Sequence, residues 1–192
     1  MKHRINSGFI KLFRMIPYQM LPKCVKKYYN GIIEEKWNEG GIRMASVQAV
    51  CNTFLLKSFT ESDHMSITPM KLQKLIYFAY KDYLQKTGNK AFNDAIQTWK
   101  YGPVVQSVYD EFKSFGKNPI KRFARDAQDK VYIVNDKALN DSIDCVWNQY
   151  KSYTGIELSK ITHEDGTAWS KAFDSHNPYL KDDDIKDERP CC

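Results

Sequence analysis

The sequence predicts a mainly α fold of the α+β kind, a compact helical domain with one small β element. Three observations predict it. Beyond Met44, apolar residues recur at three- and four-residue intervals through most of the chain, the mark of amphipathic helices. Thr68-Pro69 is a strong helix start. One short β-branched run, Val131-Tyr132-Ile133-Val134, is bounded by polar residues and reads as a strand. The 192 residues suffice for one domain with a real core and a modest extension. An aromatic content of 14%, with 12 Tyr and 10 Phe, marks a packed protein and not a disordered one.

Residues 1–43 form a basic N-terminal extension. Phe9, Ile10, Leu12, Phe13 and Ile16, interrupted by Lys11 and Arg14, have the makings of a short basic amphipathic helix, which Pro17 and Pro22 stop. Those charges also break up a signal-peptide core. Met44-Ala45-Ser46-Val47-Gln48 resembles a natural start, and Glu39-Gly40-Gly41 can be encoded by a purine-rich run like a bacterial ribosome-binding site. The expectation is that residues 1–43 are translated upstream sequence and that the functional protein begins at Met44.

The helices follow in order. Val47, Val50, Cys51, Phe54 and Leu55 give an amphipathic helix, and residues 60–63 are polar loop. From Thr68-Pro69 the most hydrophobic helix carries Met70, Leu72, Leu75, Ile76, Phe78, Ala79, Tyr83 and Leu84, with Gly88 closing it. It is expected to lie centrally, with Lys71, Lys74 and Lys81 on its solvated face. Trp99-Lys100-Tyr101-Gly102-Pro103 is a turn, with Pro103 entering a helix that holds Val104, Val105, Val108, Tyr109 and Phe112 and ends near Gly116. After the strand comes a helix from about Ala138 to Tyr150, then a short one from Gly155 to Ile161, then a helical turn from Trp169 to Phe173. The tail, with Asp182-Asp183-Asp184, is acidic and is expected at the surface.

The charge of +6 resides in the extension: residues 1–43 hold nine Lys and Arg against three acids, and the rest holds twenty of each sign. A neutral main domain argues against nucleic-acid binding, which needs a basic face to offset phosphate charge. No run approaches the roughly 18 apolar residues of a membrane span, and no glycine-rich phosphate loop occurs. The five cysteines form no C-x-x-C and no pairing with His at zinc-finger spacing, so neither a metal nor another cofactor is expected. An odd cysteine count without a secretory signal fits a cytoplasmic protein. Cys51 and Cys145 are expected as small core side chains.

His163-Glu164-Asp165 is the most catalytic-looking cluster. An enzyme would pair His163 with Cys145 as base and nucleophile, but Cys145 falls in an apolar stripe beside Val146 and Trp147, where a structural thiol belongs. The expectation is that the chain is not an enzyme and that His163 caps a helix end, donating to free carbonyls. The turn from Trp99 to Val104 points elsewhere. Trp and Tyr on a turn present large rigid area at little entropic expense, which is what protein-binding hot spots use. Core burial of Trp99 and Tyr101 is the competing explanation, and both can hold.

Thr68-Pro69-Met70-Lys71-Leu72-Gln73-Lys74-Leu75-Ile76-Tyr77-Phe78-Ala79 closely resembles the opening signature of the Panacea domain, the SocA-like or GepA phage-associated family. Trp99-Lys100-Tyr101-Gly102-Pro103-Val104-Val105 resembles its second signature. Leu158-Ser159-Lys160-Ile161-Thr162-His163-Glu164 followed by Trp169 resembles its third, with Ala168 where the family often has Pro. The resemblance covers about residues 44–189, leaving 190–192 as a tail. It implies a bacterial or phage antitoxin that neutralises the toxin encoded beside it by direct binding, and in some relatives one that presents the toxin to a cellular protease. It also implies framework roles for Thr68, Pro69, Leu72, Gln73, Leu75, Tyr77, Gly102, Pro103, Thr162 and Trp169. Trp99, Lys100, Tyr101, Val104 and the exposed face around His163 are the partner-binding candidates. The alternative is a phage or mobile-element adaptor that binds another host protein. No nucleic acid and no membrane is expected as a partner of this chain alone.

Overall fold

The computed structural model describes residues 32–34, 44–61 and 65–190. The segment from Phe9 to Ile16, Cys24 and the Cys191-Cys192 pair lie outside the described residues. In chain order the elements are β1 (Ile32–Glu34), α1 (Val47–Thr60), α2 (Pro69–Thr87), β2 (Ile96–Trp99), β3 (Gly102–Val105) and α3 (Gln106–Phe112). A 3-10 turn over Lys113–Phe115 follows, then β4 (Val131–Ile133), α4 (Lys137–Tyr150), α5 (Gly155–Thr162), α6 (Ala168–Asp174) and α7 (Asp182–Lys186). The fold is mainly α with small β elements.

Each long helix starts where a short polar side chain satisfies a free amide. Ser46 accepts from Ala49 at 3.2 Å, Thr68 from Lys71 at 3.3 Å and Asp136 from Leu139 at 2.7 Å. Thr154 and Glu157 form a reciprocal capping box at the start of α5. Pro69 occupies the first turn of α2, and Gly88 ends that helix in the left-handed conformation, φ +74°.

The central helix is α2, which packs against α1, α4, α5, α7 and β3. Its Leu72, Leu75, Ile76, Phe78 and Ala79 are buried, and Phe78 stacks on Tyr150 of α4 with centroids 4.8 Å apart. Truncating one of these aliphatic side chains to Ala should cost about 2–5 kcal/mol. The sequence pattern gave α1 one apolar face, whereas nearly the whole of α1 is covered. Its polar residues are accommodated by specific partners. Asn52 accepts from the Ala124 amide at 2.8 Å and donates to the carbonyls of Ala124 and Tyr132. Thr53 accepts from the Val134 amide at 3.0 Å. These bonds stitch β4 to α1, and on another side β4 pairs in parallel with β1, Ile33 opposite Tyr132.

Three expectations change. Residues 102–105 are a strand and not the start of a helix, so β2 and β3 form an antiparallel hairpin and α3 starts only at Gln106. Cys51 is a core thiol, but Cys145 is only half-buried and is disulfide-bonded, so it is not the structural thiol expected. Asp182, Asp183 and Asp184 stay at or near the surface as expected, but the tail is anchored just beyond them: Glu188 is buried, accepting from Lys81 at 3.0 Å, from the Ala168 amide at 2.6 Å and from the Tyr77 hydroxyl. Gln85 adds a bond to the Glu188 carbonyl at 2.8 Å.

Candidate functional site: a clamped hairpin beside an aromatic run

The hairpin turns over Lys100 and Tyr101. Neither has a positive φ; that conformation falls on Gly102, at +101°. Trp99 opposes Gly102 and Gln97 opposes Val104. Both edges of this two-stranded unit are closed by other parts of the chain. On the β2 side, the Thr98 amide donates to the Pro178 carbonyl and the Leu180 amide to the Ile96 carbonyl, each at 2.9 Å. On the β3 side the partner is a pair of side chains from α2. Gln73 accepts from the Val105 amide at 2.9 Å and donates to the Val105 carbonyl at 3.1 Å, mimicking a strand. Lys74 donates to the Pro103 carbonyl at 3.0 Å.

From the remaining side α5 and α6 hold the turn. Ser159 donates to the Tyr101 carbonyl at 2.8 Å, and the Trp169 indole to the Trp99 carbonyl at 2.9 Å. A Cβ on Gly102 would lie 2.6 Å from Lys74 Nζ and 2.7 Å from Thr162 Oγ1, so the glycine serves both the dihedral and the close approach. The framework residues thus converge. Thr68 and Pro69 start α2, Leu72 and Leu75 fill the core, Gln73 faces β3 and Tyr77 holds the tail, while Gly102, Pro103 and Thr162 are buried beneath the turn.

Three of the lysines of α2 are not on a solvated face. Lys71, Lys74 and Lys81 are all buried, because the hairpin, α4 and the C-terminal segment cover that side of the helix. Lys81 is matched by Glu188. Burial pushes the Lys74 ammonium down to about 7, and burial also lowers Lys71. His163 ends α5, but its imidazole does not cap carbonyls. It stacks on Trp169, with centroids 3.7 Å apart and planes at 11°, and its Nε2 has no partner among the described residues. Desolvation, then the Lys74 charge, lowers its pKa and favours the neutral ring.

Of the partner-binding candidates, Lys100 and Tyr101 are exposed at the tip, Tyr101 by 60%. Trp99 is half-buried, with its indole bonded to Gln97 and its ring 4.8 Å from Tyr109. His163 is half-buried. Val104 is 8% exposed, so its side chain packs inward and does not contribute an exposed face. The sequence did not single out Tyr109, Phe173 and Tyr179, which extend the same surface. Phe173, 46% exposed, stacks on Trp169 at 4.6 Å, and Tyr179 bridges to Gln97. The four-residue spacing of Trp169 and Phe173 on a helix was the available signal. Among the described residues no group of His, Cys, Asp and Glu could hold a metal ion. No described helix is long and apolar enough to cross a membrane.

These features define a mainly helical module that holds a rigid aromatic hairpin against its central helix. The chain belongs to the SocA-like antitoxin, Panacea-domain family, whose model matches residues 72–170, just over half of the chain. The match starts within α2, runs through the hairpin and ends in α6. Among curated proteins the chain is similar to Antitoxin SocA of Caulobacter vibrioides (strain NA1000 / CB15N), 27% identical over 128 residues that cover 64% of this chain and 67% of that protein. No solved structure matches.

Proposed function

We propose that this chain is an antitoxin that neutralises a cognate toxin by direct protein–protein binding. The observation that carries the reading is the hairpin tip. Tyr101 and Trp99 sit on a turn fixed by the segment from Pro178 to Leu180, α2, α5 and α6, so they present aromatic area without paying much ordering entropy on binding. Membership of the family supports an antitoxin role, and the similar Caulobacter protein bears that name. The chain acts without catalysis in this reading, in the cytoplasm, with the toxin encoded nearby and a cellular protease as a further partner.

The test is co-expression. The neighbouring gene is induced alone and then with the full chain, and growth and co-purification are followed. Rescue of toxicity with a stable complex is the expected result. A toxic neighbour that is neither rescued nor bound would overturn the reading and favour a mobile-element adaptor for another host protein.

A further inference from the structure

Lys74 is an unusual side chain to place under a binding hairpin. It is 1% exposed, and among the described residues its nitrogen donates to one acceptor, the Pro103 carbonyl at 3.0 Å. Gly102 and Thr162 close over it so tightly that a single added methyl group would overlap the nitrogen. A buried ammonium normally requires a carboxylate. Among the described residues, the titratable groups on the surrounding elements do not supply one. On α2 itself, Lys71 donates to the Lys151 carbonyl, and Tyr77 and Lys81 are both bonded to Glu188 of the C-terminal segment. On α5, Glu157 is bonded to Thr154, and His163, whose ring feels the Lys74 charge, stacks on Trp169. On α4, Asp144 pairs with Lys57, and on α7, Asp182 pairs with Lys90 and accepts from Tyr80. The strand β3 offers only its backbone.

We propose that Lys74 is the positioning residue of the partner hairpin and works as a proton-linked latch: the hairpin seats over the neutral amine and lifts when the amine takes up a proton and water. A neutral amine still donates to Pro103, so the seated hairpin keeps its bond. The ammonium brings a charge that the pocket does not compensate, and lifting Gly102 and Pro103 is the shortest way to hydrate it. The seated form holds Lys74 at about 7, whereas a lysine in water titrates at about 10.5. Lifting therefore takes up one proton across that interval. Falling pH favours the lifted form down to about 7 and has no further effect below it, where both forms are charged. The latch is a property of the chain alone; its bearing on partner affinity rests on the antitoxin reading.

The experiment is hydrogen exchange of the full chain, read as protection of the amides of residues 97–102 and 104 after correction for intrinsic rates. Protection is expected to fall about tenfold per unit as the pH drops from about 9 to about 7, and then to level off. Lys74→Met, which keeps the stem and removes the proton, is expected to show no such slope, whereas His163→Asn keeps it. A flat wild-type profile, or an equal slope in Lys74→Met, overturns the latch. A second measurement needs no variant to fold: lysine-selective 15N NMR follows Nζ directly. Titration of Lys74 with the exposed lysines near about 10.4 overturns the proposal, and a midpoint near about 7 supports it. A chain with the expected slope that binds no toxin would sink the antitoxin reading and leave the latch standing.

Discussion

Gly102→Ala tests the clamp at its tightest point. Two separate penalties apply. The residue sits at φ +101°, where an L side chain meets its own backbone, at about 1–2 kcal/mol. The new Cβ would also lie 2.6 Å from Lys74 Nζ, 2.7 Å from Thr162 Oγ1 and 2.9 Å from Lys74 Cε. Lys74 is a flexible side chain, but it is enclosed, and moving it breaks the bond to Pro103. Overpacking of this kind costs about 1–3 kcal/mol. The sum is about 2–5 kcal/mol, measured by denaturant titration on the full chain. The two parts separate in a double-mutant cycle with Lys74→Ala. With the lysine stem gone, the overlap term should shrink to the Thr162 contact, on top of about 1–2 kcal/mol of backbone strain. A loss below about 0.5 kcal/mol for the single variant would refute the geometry. No coupling between the two positions would refute the close approach while leaving the dihedral argument intact.

Lys74→Met should change how stability depends on pH. The folded-state pKa lies below the unfolded one, so the unfolded chain holds the extra proton between about 7 and 10.5, and this residue makes stability rise with pH across that interval. The wild-type minus Lys74→Met difference should therefore move by about 1.4 kcal/mol per unit there, and identical profiles would contradict it. Glu188→Ala removes the acceptor of Lys81, Tyr77 and the Ala168 amide and strands a buried lysine. A loss of about 3–5 kcal/mol is expected by thermal or chemical unfolding, and a near-neutral result would mean the tail is not anchored there. Tyr101→Ala should leave stability within about 0.5 kcal/mol, yet weaken binding of the toxin by about 2 kcal/mol or more in calorimetry. Unchanged affinity would remove the tip from the interface.

The sequence showed clearly what depends on near neighbours. Thr68-Pro69 and Gly88 bracket α2 as expected, and Leu139, Ile143, Val146, Trp147 and Tyr150 face the core from α4. The turn that contains Gly102 was also legible, from Trp99-Lys100-Tyr101-Gly102-Pro103. The strand β3 was not. Pro103 followed by Val104, Val105 and Val108 matches a helix start as well as a strand. The choice is made by Gln73 and Lys74, which occupy the outer edge of residues 103–105 from a distant helix. The same distance hides the buried lysines. On α2 alone, Lys71, Lys74 and Lys81 look like solvated charges, and only the packed hairpin and C-terminal segment cover them. Glu188 was illegible for the same reason, since its partners are a helix and an amide remote in sequence. The exposed aromatic run is legible in part: Trp99 and Tyr101 announce themselves on a turn, whereas Tyr179 reaches that surface only because Pro178 and Leu180 pair with β2.

The amide of Gln73 has a consequence for how anything can dock here. An open strand invites another chain to pair with it, through aggregation or through strand addition by a partner. Gln73 already occupies the donor and acceptor of Val105, and Pro103 has no amide hydrogen to offer. The outer edge of β3 is chemically saturated by a side chain, which extends no further edge of its own. A ligand arriving at this hairpin must therefore be recognised by side chains at the tip and not by its backbone, so changing Lys100 or Tyr101 could re-aim the surface while every bond that holds the hairpin stays in place.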